Sequence, residues 1–302
     1  MPDPWLVLTR TLHYAALMQL LGVFVFLRLV QPEASPRLRR RLRGLAWASL
    51  ALAILSAFCW LALEAAAMSG DPLHLIVADG ALGTVWHETR FGVNTQIRAA
   101  LALAAALALA LILPGHERRW RDGLLLLLGA AMLGGVAWVG HGAAVPGGLG
   151  DLHLADDVLH LIAAGCWIGA LLPLALCLAE ARGGAGAAVG PAVGRFSLLG
   201  YGAVGTVLAS GLVNAWFMVG SPALLVGTLY GRLLLGKIAL FLVMVALAAV
   251  NRLWLAPRLE TSPADAAALQ RNCLLELALG FAILAIVGLL GLLAPAMHAM
   301  AG

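Results

Sequence analysis

Charge is scarce in this chain. Asp, Glu, Lys and Arg make up 11% of its 302 residues, against ~25% in an ordinary soluble domain. Hydrophobic residues make up 62%, and the mean hydropathy is +0.96. A water-soluble fold has too little polar surface to hide that much apolar material, so a soluble globular class is excluded and a bilayer is the solvent that fits. Cysteine is scarce too. Cys59, Cys166, Cys177 and Cys273 fall in or beside apolar runs with no CxxC pair, which argues against a disulfide framework or a zinc knuckle. There is no P-loop, HExxH, EF-hand loop or GxSxG with triad partners, so no catalytic residue is assigned and an enzyme is not expected. The glycine-rich 183–190 stretch has no strand before it and reads as a linker. The first residues lack a basic n-region, and the apolar run after them is full length, so it is expected to stay as a helix. The pI near 9.2 comes from arginines flanking apolar runs, not from a basic stripe suited to nucleic acid.

Apolar runs over 5–30, 44–68, 94–113, 123–140, 153–179, 196–219, 230–251 and 273–294 are each long enough to cross ~30 Å of hydrocarbon. The sequence therefore predicts an all-α polytopic membrane protein of about eight transmembrane helices. Arg28, Arg37, Arg39, Arg40, Arg41 and Arg43 lie around the first connection. Arg118, Arg119 and Arg121 follow span 3, Arg182 and Arg195 follow span 5, and Arg252, Arg258 and Arg271 follow span 7. Short basic loops stay in the cytoplasm, so the odd-numbered connections are expected there and both termini in the periplasm of a bacterial inner membrane.

Seven of the eight histidines fall on the opposite side. His74 and His87 follow span 2, His141 and His153 follow span 4, and His298 is in the tail. His13 and His160 lie inside spans 1 and 5, about 12 Å deep by helix rise. Only His116 falls on the arginine side.

The two halves match in four places. Leu12-His13 precedes Gly22 by the spacing at which Leu159-His160 precedes Gly169. Glu64, Met68 and Gly70 run parallel to Asn214, Met218 and Gly220. Thr89-x-Phe91-Gly92 with Arg98 matches Thr228-x-Tyr230-Gly231 with Lys237. Gly129 and Gly140 match Gly280 and Gly291. An even number of spans per half makes this a parallel repeat about an axis along the membrane normal, with one four-helix unit over 1–145 and the other over 146–302. It places His13 and His160 at equivalent depths and leads to the expectation that their rings converge.

Ionisable side chains inside a bilayer are costly and mark functional candidates, and imidazole ligates copper, zinc and haem iron. His13 and His160 are the first candidates, with an interhelical hydrogen bond that holds the bundle together as the alternative. Asp156 and Asp157 precede His160 by one helical turn and are placed to accept its second ring N–H. His141, between Gly140 and Gly142, is open enough to ligate a metal or to lie solvated in its loop. Glu64, Met68 and Met218 complete the candidate set, with apolar packing the alternative for each methionine. Arg98 and Lys237 either snorkel to the headgroups or pair with acids. Glu276 is placed near the arginine-side end of span 8.

The run from Asp156 through His160 and Trp167 to Gly169 resembles the signature of the copper resistance protein D family. So do Gly140-His141-Gly142, Thr89-x-Phe91-Gly92 with Arg98, and Tyr230-Gly231 through Lys237 to Asn251, Arg252 and Pro257. The resemblance covers most of the chain. It implies an eight-span inner-membrane protein that handles copper, often with a periplasmic copper-binding partner of the CopC type, and moves copper from periplasm toward cytoplasm. It also implies that His13, His141 and His160 sit at the family's histidine positions, while the methionine-rich outer segments are reduced to Met68, Met218, Met297 and Met300. With no ATPase motif, transport would run on a gradient, the membrane potential or protons. The alternative is a b-type haem electron-transfer protein with His13 and His160 as axial ligands.

Overall fold

A computed structural model describes residues 2–111, 119–140, 147–182, 189–259 and 263–298. The described residues form helices, and eight of these are long and apolar enough to cross a membrane. In chain order they are α1 (Pro4–Val25), α2 (Pro36–Ser69), α4 (Arg90–Ala110), α5 (Arg119–Gly134), α6 (Gly148–Arg182), α7 (Val189–Val219), α9 (Leu229–Val250) and α10 (Pro263–Leu290). Two short helices, α3 (Ala81–Glu88) and α8 (Pro222–Gly227), precede α4 and α9. Most of the described arginines lie toward the end where α1 meets α2 and α9 meets α10, while Arg10, Arg90, Arg98 and Arg232 lie toward the other end with the described histidines.

The helices outrun the apolar runs that predict them. Ser35 caps α2 by accepting from Leu38 N, with Pro36 in the first turn. Arg37 to Arg43 therefore lie on helix, not in a loop. Helical backbone satisfies its own polar groups wherever it lies, so nothing obliges a helix to stop at the hydrocarbon edge. His153, expected in a loop, is in the second turn of α6. His160 is consequently ~18 Å along its helix and Glu276 ~20 Å along α10, because both helices begin ahead of their apolar runs.

α1 and α6 form the centre. In their most apolar stretches 78% and 72% of residues are buried, against 6% for α9. α1 is apolar all round, as a helix surrounded by other helices must be. It meets α6 where Gly22 and Gly169 face each other: a Cβ on Gly169 would overlap the Met18 carbonyl, and one on Gly22 would overlap the Gly169 backbone. Gln19 Nε2 donates to Gly169 O at 2.9 Å across the same crossing. At the arginine end Ser35 hydrogen-bonds Glu180, and Arg39 pairs with Asp122 at 3.2 Å.

The Thr-x-aromatic-Gly motifs build two matching elbows. Thr89 caps α4 by accepting from Gly92 N and donates to Val85 O. Thr228 caps α9 by accepting from Gly231 N and donates to Leu224 O. Each glycine lies so close to the carbonyls of the preceding short helix that a side chain there would collide with them. The motif is thus a fold device at both places.

The crossing gives a direct test. Gly169→Ala is expected to lower the thermal unfolding midpoint in detergent, by about 1–3 kcal/mol of overpacking. Gly205→Ala, whose Cβ meets nothing within 4 Å, should leave the midpoint unchanged or raise it. Equal melting of the two variants would contradict the tight α1–α6 contact.

Candidate functional site

The two membrane histidines do not converge. Each turns into its own half of the bundle, and the two surroundings differ in one decisive way.

His13 is 2% exposed. Its Nδ1 lies 2.9 Å from Ser56 Oγ and 3.1 Å from Ala53 O, and its Nε2 lies 2.5 Å from Arg98 Nη1. A guanidinium only donates, so Nε2 is the acceptor and the proton is on Nδ1. Ser56 spends its own hydroxyl proton on Leu52 O at 2.6 Å, which leaves its oxygen free to accept from Nδ1–H. Arg98 is fixed in turn by Asn94 Oδ1 at 2.8 Å. Trp60 closes the cluster: it meets His13 edge to face at 5.7 Å, lies under Arg10 at 4.8 Å and donates to Glu64 Oε2 at 3.2 Å. The lone pair with which His13 would bind a metal is occupied by a cation.

His160 repeats half of this arrangement. Its Nδ1 lies 2.8 Å from Ser210 Oγ, and Ser210 donates to Thr206 O at 2.6 Å. The same logic puts the ring proton on Nδ1. Lys237 stands where the matching half has Arg98, but it makes no hydrogen bond to the imidazole, and Nε2 has no hydrogen-bond partner among the described residues. His160 lines a cavity of about 190 Å³ between the halves. His153, Asp157, Met218, Tyr230, Lys237 and Arg10 share its wall, and His13 does not. His153 is almost fully buried. It stacks on Phe217 at 4.5 Å and lies 2.8 Å from Asn214 Oδ1 and 3.9 Å from Asp157 Oδ2.

The predicted set is therefore divided. His160 and Met218 come to the cavity. Glu64 belongs to the Trp60 cluster. Met68 is exposed, and Asp156 neither lines the cavity nor bonds His160, whose Nδ1 meets a serine and not an aspartate. His141 lies outside the described residues. Sequence reasoning missed Ser56, Ser210, Arg10 and Tyr230, and treated His153 as a loop residue. Ser56 and Ser210 were detectable only as lone hydroxyls in apolar helices. Their pairing also moves the match between α2 and α7 by one helical turn from the register that sets Glu64 opposite Asn214. A bis-histidine haem would need both Nε2 atoms on one iron, and Arg98 holds one of them. Among the described residues no three His, Cys, Asp or Glu side chains gather as a ready-made metal cage.

Two family models match the chain: the N-terminal domain of copper resistance protein D-like proteins over residues 1–151, and copper resistance protein D over residues 190–290. A protein named copper resistance protein D, from Pseudomonas syringae pathovar tomato, is 32% identical over 99% of both chains. The inner membrane protein YebZ of Escherichia coli K12 is 33% identical over 96% of this chain and 98% of its own. The copper transport protein CutJ of Bacillus subtilis is 29% identical, and this chain spans 51% of its length. No solved structure matches. Near-full-length identity above 30%, together with both family models and eight apolar helices, makes this chain a multi-pass inner-membrane member of the copper resistance protein D family.

Proposed function

We propose that the protein passes copper across the inner membrane through the cavity between its halves, with His160 Nε2 as the principal ligand. The observation that carries this reading is the unoccupied lone pair of His160, fixed toward the cavity by Ser210. Imidazole nitrogen and the Met218 thioether are both good donors to copper, the thioether favouring Cu(I). The relatives' names, copper resistance and copper transport, point to the same cargo.

The chain is read as two parallel four-helix repeats, 1–145 and 146–302. The matching threonine elbows and the two histidine–serine pairs support that division. The first repeat has become structural at its histidine, and the second has kept the site. The arginine end is assigned to the cytoplasm by the positive-inside rule, which puts both termini and the mouth of the cavity in the periplasm. There a copper-binding protein of the CopC type would deliver its ion.

Lys237 and Arg10 place positive charge on the cavity wall, and Asp157 offsets part of it. A cation held at His160 is then bound weakly enough to leave, as a conducting site requires.

Copper binding measured by competition with a chelator, together with uptake into proteoliposomes, tests the site. His160→Ala should abolish cavity binding and uptake. Ser210→Ala should weaken binding 10- to 100-fold, the usual cost of losing the group that orients a ligand histidine. His13→Gln should lower the melting temperature while leaving copper affinity within a few-fold. If His13 and His160 variants lose copper equally, the division of roles is wrong.

The lysine gives the opposite sign. Lys237→Met removes a like charge from beside the ion and should tighten copper binding by about tenfold, ~1.4 kcal/mol, while slowing release in the uptake assay. Weaker binding would make Lys237 part of the ligand shell's support.

A further inference from the structure

The second half contains a larger cavity at its arginine end, of about 410 Å³, between α6, α7, α9 and α10. Its wall is mostly apolar, and Glu276 is on it. The carboxylate is 2% exposed. Its Oε1 accepts from Asn251 Nδ2 at 2.7 Å, and Asn251 Oδ1 in turn accepts from Asn272 Nδ2 at 2.8 Å. The Trp167 indole N–H points its polar edge at the carboxylate, while Oε2 is buried without a close hydrogen bond of its own. Arg252 lines the same cavity but forms no ion pair with it. A buried carboxylate with amide and indole neighbours but no cation beside it is costly unless a cation or a proton joins it.

Cys273 is three residues earlier on α10, on the same helical face. It is 2% exposed and lines the same cavity. A thiolate is the donor a soft cation prefers, and a carboxylate on the same wall supplies the base that must take the thiol's proton. The site is also a departure from the repeat. In the register that sets Gly129 on Gly280, Glu276 falls on Leu125. In the register that sets His13 on His160, Trp167 falls on Leu20. Both leucines are 1% exposed core residues, so the first half fills with hydrocarbon what the second half leaves open and polar.

A third cavity, of about 170 Å³, shares wall residues with both. It shares His160 and Lys237 with the cavity at the histidine end and Trp167 with the cavity at the arginine end. Met244 is on the wall of this third cavity.

We propose that Cys273 and Glu276 form a second cation site, for a soft monovalent ion, that receives Cu(I) from the His160 cavity past Trp167. This rests on the copper reading above. On binding, Cys273 Sγ releases its thiol proton to Glu276 Oε2 and bonds the metal. One carboxylate and one Cu(I) become a neutral acid and a neutral thiolate–copper unit, so no net charge remains in the bilayer. Asn251 and Asn272 hold the carboxyl for that exchange.

Titration of the purified full-length protein with Cu(I), against a chromogenic Cu(I) chelator, tests the site. Two ions should bind per chain. Cys273→Ser and Glu276→Gln should each bind one, and His160→Ala should lose the other. The ultraviolet thiolate-to-copper absorption band should be present in the unaltered protein and in His160→Ala, and absent in Cys273→Ser. Melting curves of Glu276→Gln, which retains an acceptor for Asn251, check that the helices still pack. Two ions retained in both Cys273→Ser and Glu276→Gln would overturn the second site and leave the His160 reading standing. One ion in the unaltered protein, lost only in His160→Ala, would do the same. No bound copper at all would overturn both.

Discussion

Gly22 and Gly169 let α1 and α6 touch backbone to backbone, and the arrangement of the other helices follows from that contact. Without a hydrophobic force between helices in lipid, close packing of small residues is what holds a pair together. Once the glycine faces meet, the remaining faces of the two helices must point outward into their own halves. His13 then reaches α2 and α4, and His160 reaches α7 and faces Lys237 of α9. The separation of the two imidazoles is a consequence of the crossing.

Within that frame the two halves carry the same imidazole–hydroxyl pair to different ends. In the first, a guanidinium rigidly held by Asn94 caps the ring, and Trp60 fills the space around it. In the second, the flexible ammonium of Lys237 stands near the ring without capping it, and open volume replaces the tryptophan. Arg and Lys are not equivalent here: the planar fork locks a neighbour in place, while the single mobile charge only biases what approaches.

Much of the architecture was legible from hydropathy alone, because eight apolar runs separated by arginines leave little choice. The ends were not. The helix from Pro36 continues through Arg37 to Arg43 without a break in helical propensity, and α6 starts early enough to take in His153. His13 and His160 stood out as ionisable groups in apolar runs. Their partners did not, because Ser56 and Ser210 are small and uncharged, and whether a serine meets a ring depends on how each helix is rotated. That rotation is set by the glycine crossing, and nothing in the local pattern of either helix reports it.

The uneven burial of the helices has a mechanical consequence. α1 is wedged among neighbours on every side, whereas α9 turns nearly its whole length toward lipid and is anchored chiefly by the Thr228 elbow and its seam with α10. A helix so held tilts at little cost when the surrounding bilayer thickens or thins. Lys237 and Tyr230 travel with it, so the width of the cavity beside His160 is tied to membrane thickness.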